Sequence, residues 1–461
     1  MTRMKRIELT VLALAIFYQI VFLFLFLAET NGHLKYAKWT TKDGIQYYST
    51  ADYQAAGLLL LGVGLVLVIE VVMTFWGLYK KTYLAGVSTA IGMLLYYGMF
   101  LQAFYNQGTN LKKHILFAAA GFLIMIIFSF FCRMKLNSFS EKIVISGILL
   151  LIISNLFSVV IGVFFTEESV NGAYSWLSFG GISFQPGEFL KAGLIVFAAS
   201  CYKLRISRRL TAIYITLCSL SVIALVLAKD LGNSSIILML WIASSYYLYD
   251  NWKATVAALG AAAAGLLAAI KIFPHVRERF ETWGRALDAG EGQQYDSLMA
   301  ILKSGFRGCG PAGDTVSATR VTSSSTDYAA NVLISIFGIS LLFILILLVL
   351  ILLVQMYRTP VLSPFHYIIG ILSSYTIMAQ YFLHCMGNLN CLPLTGICLN
   401  YISSGGSNLL MSFLLLGGIC ISLSPEFIKE KKYLRQCGFI KNLKKNRIIH
   451  KTDIFRRRGR A

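Results

Sequence analysis

Apolar residues in this 461-residue chain fall in long uncharged runs rather than in the narrow stripes of a soluble helical fold. A helix needs about 20 apolar residues to cross the hydrocarbon core of a bilayer. About twelve runs reach or approach that length: 9–28, 56–78, 84–105, 114–132, 142–165, 188–203, 209–228, 232–250, 253–273, 329–356, 362–385 and 407–424. The pattern predicts an all-α polytopic membrane protein of about twelve transmembrane helices. Between the ninth and tenth spans it leaves one large loop, residues 271–328. Composition agrees with this reading, since 57% of residues are apolar and 13% charged.

Charge sets the orientation. Cytoplasmic connections carry an excess of Lys and Arg. The basic clusters at 1–6, 80–81, 133–142, 203–209 and from Lys429 onward fall on one side if twelve helices alternate. Both termini are therefore predicted cytoplasmic, and the loop 271–328 external. Much of the formal net charge of +20 lies in the tail 425–461. That tail reads either as a topogenic, solubilising extension or as a segment held against anionic head groups. No small-residue cleavage site follows the first apolar run, so it is read as a retained helix. The nine cysteines show no CxxC and no Cys/His ligand spacing. Structural thiols are expected, with Cys385 and Cys391 placed for an external disulfide.

Ionisable residues within membrane segments are costly and point by default to a functional site. Four stretches interrupt the apolar pattern. In the first, 171–197, Gln185, Pro186, Glu188 and Lys191 precede the sixth apolar run; Pro186 and Glu188 suit a helix entry, and Glu188 and Lys191 share a helical face. In the second, 225–240, Lys229 and Asp230 separate two apolar runs. This reads either as a tight external hairpin with a solvated pair, or as two helices sharing a break with Asp230 capping the second. The third is the loop 271–328, which holds Lys271, Arg277, Arg279, Arg285, Lys303, Arg307 and Arg320, an unexpected cation excess for an external loop. Those arginines suit a lipid phosphate or diphosphate, while Glu278, Glu281, Asp288, Glu291, Asp296 and Asp314 offer pairing within a solvated loop. The fourth, 390–408, is too irregular to face lipid and predicts a cavity beside the last helix. Glu70, inside the second span, stands alone and faces either a neighbouring helix or a partner.

Taken together and in order, these stretches resemble the SEDS family of bacterial cell-wall proteins, which includes FtsW, RodA and SpoVE. "GAYSWLSFGGISFQPGEFLK" is similar to the family's Gly-Ala-Arg-x-Trp motif followed by Gln-Pro-Ser-Glu-x-x-Lys. "KDLGNS" resembles its Asp-Leu-Gly-Thr break, "STDYAANVLISIFG" its Thr-Asp-Phe stretch, and "LPLTGICLNYISSGGSN" its last motif. The resemblance implies a ten-helix core over 84–424, containing the catalytic loop 271–328. Two extra N-terminal helices occupy 1–83, and the basic tail 425–461 follows.

The implied activity is that of an inverting peptidoglycan glycosyltransferase in the bacterial cytoplasmic membrane. It would polymerise lipid II, transferring a glycan from undecaprenyl diphosphate to the sugar 4-hydroxyl of an incoming lipid II, for shape, division or sporulation wall synthesis. The resemblance places the general base at Asp288, with Glu291 and Asp296 as runners-up. It assigns substrate contacts to Arg279, Arg285, Arg307, Glu188, Lys191, Trp176, Thr395, Ser403, Gly405, Gly406 and Ser407, and structural roles to Gln185, Pro186, Asp230, Gly232 and Asp327. It leaves room for a divalent cation, Mg or Mn, with no ligand set identified. A class B penicillin-binding protein is the implied partner, and no nucleic acid is expected. The chain departs from the family pattern at Tyr174–Ser175 (for Arg), Ser325 (for His), Ser335 and Ile336 (for two Glu), Asn400 (for Pro), Ser404 (for Tyr) and Asn408 (for Ser). These departures also fit a non-catalytic lipid II binder, translocator or scaffold that recruits a transpeptidase. A secondary transporter would carry inverted repeats, and none is visible.

Overall fold

The computed structural model describes residues 3–30, 33–42, 45–54, 56–80, 84–105, 109–133, 141–165, 176–179, 182–203, 208–249, 252–310, 321, 323–359 and 363–423. The basic tail and the positions Tyr174 and Ser175 lie outside them. Each of the first nine predicted spans coincides with a helix: α1 (Arg3–Thr30), α2 (Ala56–Lys80), α3 (Leu84–Tyr105), α4 (Thr109–Arg133), α5 (Glu141–Phe165), α6 (Pro186–Lys203), α7 (Arg208–Leu227), α8 (Leu231–Tyr249) and α9 (Trp252–Ile272). Within the loop, α10 (Pro274–Thr282) and α11 (Gln293–Ser304) are short helices. They are followed by α12 (Ala329–Phe337), α13 (Ser340–Arg358), α14 (Pro364–Asn388) and α15 (Gly406–Ser422). Among the described residues, eight helices are long and apolar enough to cross a membrane, so the protein is a multi-pass helical membrane protein.

Two antiparallel hairpins add to the helices, β1–β2 (His33–Lys42 and Ile45–Gln54) and β3–β4 (Leu177–Phe179 and Ile182–Phe184). Neither was expected from the apolar runs. Their strands are short and partly polar, and the Asp-Gly pair between β1 and β2 is a hairpin signal with a period of two, which a search for 20-residue runs passes over.

Helices in lipid associate through close packing and buried polar contacts rather than through the hydrophobic effect. Central α14 shows this, with 78% of its apolar window buried, whereas α9 has 6% buried and leaves its surface to lipid. The two N-terminal helices pack on α3, where Glu70 finds its partner. Gln19 Nε2 donates to Glu70 Oε1 at 2.9 Å, the Tyr96 hydroxyl donates to the Gln19 carbonyl at 2.8 Å, and the carboxylate rests over Gly92 of α3. Glu70 thus faces neighbouring helices.

The predicted span 329–356 is two helices, not one. Residues 305–310 cross over the break between α12 and α13. There the N–H groups of Cys309 and Gly310 donate to the Ser335 and Ile336 carbonyls at 3.0 Å each, and Ile339 N–H donates to Gly305 O at 3.1 Å. These bonds satisfy carbonyls that a helix end leaves open. The crossing brings two backbones together at Gly308 (φ +83°) and Gly338 (φ +84°), where a Cβ on Gly308 would run into the main chain of Ile336 and Gly338, and one on Gly338 into that of Phe306 and Arg307. Gly338→Ala is therefore expected to cost at least about 2 kcal/mol, read as a lowered melting temperature of the detergent-purified protein.

Candidate functional site

The site assembles at the end of the bundle where α10 and α11 lie. Its floor begins at the turn joining α7 to α8. Lys229 takes a left-handed conformation (φ +58°), and two bonds close α7, Asp230 N–H to Leu225 O at 2.8 Å and Lys229 N–H to Val226 O at 3.0 Å. This is a Schellman ending made without glycine. Asp230 then caps α8, its Oδ1 accepting from Asn233 N–H at 3.0 Å and its Oδ2 from Asn233 Nδ2 at 3.1 Å. Of the two readings open in the sequence, these bonds belong to the helix break. A third donor arrives from the α6 entry, where Gln185 Nε2 meets Asp230 Oδ2 at 2.6 Å. The Gln185 N–H in turn donates to Ser407 Oγ at 3.1 Å. Pro186 opens α6 without wasting a donor. One turn in, Lys191 Nζ pairs with Glu188 Oε2 at 2.7 Å, both side chains almost wholly buried.

The wall is the irregular stretch between α14 and α15, fastened to the loop before α12. Ser403 Oγ donates to Thr326 O at 2.9 Å and accepts from Leu399 N–H at 2.8 Å. Ser404 N–H donates to Ser325 O at 2.9 Å, and the two hydroxyls lie 3.3 Å apart. Two positions that depart from the family pattern, Ser325 and Ser404, therefore contact each other. Asn400 is fully buried, its carbonyl accepting from the Tyr381 hydroxyl at 2.7 Å, and Asn408 Oδ1 accepts from Gln380 Nε2 at 3.1 Å. Gly232 lies against Thr395 O and Ile397, and Gly406 under the Phe117 ring. Cys385 is buried and Cys391 exposed, and both are free thiols. The free thiols accord with the expectation of structural cysteines, and the alternative Cys385–Cys391 disulfide does not form, one partner lying within the packed end of α14.

The loop supplies the lid. Arg279 Nη1 donates to Leu394 O at 2.7 Å, tying α10 to the wall. Trp283 Nε1 donates to Asn390 O at 3.1 Å. Enclosed between these parts is a cavity of about 540 Å³, within the range of small-molecule sites. Trp176, Gln185, Glu188, Asp230, Gly232, Arg279, Asp327, Thr395 and Gly405 line it, so every stretch singled out in the sequence contributes. Lys191 sits behind Glu188, while Pro186, Ser403, Gly406 and Ser407 support the lining. Asp288 and Glu291 lie on an exposed turn, Asp296 in the first turn of α11, and Arg285 and Arg307 on the exposed surface of the loop. None of these five belongs to the lining. Sequence reasoning missed Asn233, Gln294, Thr326 and Asn390, which also line the cavity. Asn233 and Thr326 lie within quoted motifs but carry no charge to mark them, and Asn390 and Gln294 lie outside any motif.

Electrostatics centre on Asp327 and Arg279. Burial raises the Asp327 carboxyl to about 6, although the Thr326 hydroxyl and the Arg279 guanidinium pull it down. Burial likewise lowers Arg279, against the attraction of Asp327 and Asp230. The folded Asp327 holds its proton more tightly than the unfolded chain does. Its contribution to stability is therefore greatest below pH ~4 and is lost as pH rises to about 6, a difference of at most about 3 kcal/mol. Asp327→Asn removes this term. Its melting temperature relative to wild type is expected to be higher at pH ~7.5 than at pH ~4.5, measured in the same detergent.

The profile of the FtsW/RodA/SpoVE family, described as cell cycle protein, matches residues 78–426. The peptidoglycan glycosyltransferase RodA of Mycobacterium leprae is 29% identical over 267 residues, covering 53% of this chain and 57% of that protein. The chain thus spans little more than half the length of that relative. An FtsW of Bacillus subtilis, named a probable peptidoglycan glycosyltransferase, is 27% identical over 418 residues, covering 85% of this chain and 94% of its own. A solved structure described as the structural coordination of polymerization and crosslinking by a peptidoglycan synthase complex superposes with a TM-score of 0.58 at 20% identity, covering 73% of this chain and 96% of that one. At that identity the likeness is one of fold. The family match takes in all four polar stretches and every residue lining the cavity, and on that footing the chain belongs to the FtsW/RodA/SpoVE family.

Proposed function

We propose that the protein is a peptidoglycan glycosyltransferase that polymerises lipid II at the outer face of the cytoplasmic membrane. The observation that carries this reading is the convergence of the four polar stretches on one cavity beside the segment bearing Asp288. In the reaction, Asp288 takes the proton from the acceptor 4-hydroxyl as its oxygen attacks the anomeric carbon of the donor glycan. The bond to undecaprenyl diphosphate breaks with inversion, and the departing diphosphate carries the negative charge away. Arg279 and Lys229 reach the cavity and offset that charge, while exposed Arg285 and Arg307 attract the head group at the rim. Trp176 gives the sugar an apolar face. Thr395 and Gly405 set the wall against which the lipid-linked sugar lies. Basic clusters on one side support cytoplasmic termini, and the likeness in fold to a chain of a peptidoglycan synthase complex that coordinates polymerization and crosslinking supports a class B penicillin-binding protein as partner.

Among the described residues, the acids that line the cavity do not fit a resident site for Mg or Mn. Glu188 is engaged by Lys191, and Asp230 by Gln185 and Asn233. Among the described residues no group of three or more His, Cys, Asp or Glu could share an ion. No step is therefore routed through a cation.

A second reading, a non-catalytic lipid II binder or scaffold, draws on Ser335 and Ile336. These stand where the family has two glutamates, and both are buried in the core. The test is incubation of the purified protein with lipid II, alone and with a class B penicillin-binding protein, followed by gel separation of glycan strands. Strand formation is expected. Lipid II retained by the protein without strands under either condition would favour the scaffold.

A further inference from the structure

The segment that carries Asp288 is held at both ends by one side chain that no motif contains. Asn390 sits just past α14 in a left-handed conformation (φ +60°), one that Asn tolerates better than most residues. In that conformation its main chain and its amide both meet the loop. Its carbonyl accepts from Trp283 Nε1 at 3.1 Å. Its Oδ1 accepts from Gly284 N–H at 3.3 Å and from Gln294 Nε2 at 3.2 Å. Asn390 is itself fixed, its N–H donating to Gly387 O at 3.1 Å.

The chain at and between those ends is glycine-rich and exposed. Gly284, Gly290 and Gly292 have φ values of +82°, +71° and +102°, and a Cβ on any of them would meet open space. Residues 285–292 are exposed apart from Ala286. Asp288 sits in a local turn whose amide bonds return to the segment itself, Asp288 N–H and Ala289 N–H both donating to Arg285 O at 3.1 Å. With its bonds closed on itself, the turn's reach toward the cavity is set by where its ends are tied.

We propose that Asn390 is a positioning residue: its Oδ1, bonded to Gly284 and Gln294, staples the Asp288 segment to the rim of the cavity and so fixes where the carboxylate meets the acceptor hydroxyl. The assignment rests on the glycosyltransferase reading above. Misplacing a reacting group by about 1 Å can cost roughly a hundredfold in rate, so a loosened staple lowers turnover while leaving Glu188, Asp230, Arg279 and Thr395 of the cavity lining in place.

Two substitutions separate the staple from the backbone turn. Asn390→Gly keeps the left-handed conformation and removes Oδ1, whereas Asn390→Asp keeps an acceptor at the same place. In the full-length protein, hydrogen exchange across 284–294 is expected to rise at least about tenfold in Asn390→Gly and to stay near wild type in Asn390→Asp. In lipid II polymerisation, kcat of Asn390→Gly is expected to fall at least about tenfold with KM within about twofold, and Asn390→Asp to retain most activity. Unchanged exchange in Asn390→Gly would overturn the staple whatever the activity. Raised exchange with unchanged kcat would overturn the positioning role. A wild-type protein that makes no polymer would count against the glycosyltransferase reading, and the exchange data would still decide the staple.

Discussion

Asp288→Ala is expected to abolish strand formation from lipid II while leaving the melting temperature where it is. The carboxylate stands on an exposed turn, so its removal opens no cavity in the core and breaks no buried pair. Exposed changes of this kind stay within about 0.5 kcal/mol. Loss of a general base removes about 10²- to 10⁴-fold in rate, which takes a slow polymerase below detection. Asp288→Asn, which keeps the shape and loses the basicity, is expected to be equally inactive. Glu291→Ala, three positions along the same exposed segment, is expected to retain activity. Polymer from Asp288→Ala at the wild-type rate would transfer the role of base to another acid, with Asp327 first in line because it lines the cavity.

The second large effect is on stability. Lys191 and Glu188 form a pair at 2.7 Å with side-chain exposures of 0% and 6%. Removing one member of such a pair strands a charge in a medium that cannot solvate it, a loss of about 3–5 kcal/mol. Lys191→Met is therefore expected to lower yield and melting temperature sharply. The double change Glu188→Gln with Lys191→Met removes both charges and is expected to recover most of the lost stability, since a buried ion pair is often no better than a neutral replacement. It is not expected to recover full polymerisation, because Glu188 lines the cavity and Lys191 does not. A double variant as unstable as Lys191→Met would mean that the pair's geometry, rather than its charge balance, holds the entry of α6.

Membrane physics made most of this architecture legible in the sequence. A span has to be long and apolar, so the helices from α1 to α9, with α14 and α15, stand out as runs, and polar stretches at membrane depth stand out against them. The break at Gly338 did not, because residues 329–356 are apolar on both sides of it. What ends α12 is a loop more than 25 residues earlier in the chain, which brings Gly308 against Gly338, and no local pattern encodes that crossing. The same holds for the site. Glu188, Asp230 and Arg279 were visible as charges in improbable places. Asn390 and Gln294 were not, since their importance comes from what lies opposite them after folding. Asp288 shows the converse, because the resemblance gave it the role of base and the structure puts it on an exposed segment outside the cavity lining. That separation gives the Asn390 staple its meaning.

In the proposed function the cavity between Asp230, Arg279 and Thr395 holds a lipid-linked sugar diphosphate. That occupancy is tested most directly by photo-crosslinking the reconstituted protein with a lipid II analogue bearing a diazirine beside the diphosphate, and mapping the adducts by mass spectrometry. Adducts concentrated in α10 and in the stretch from Leu394 to Cys398, and competed away by unlabelled lipid II, are the result this account predicts. Adducts confined to the lipid-facing surfaces of α9 and α13, indifferent to competitor, would contradict it.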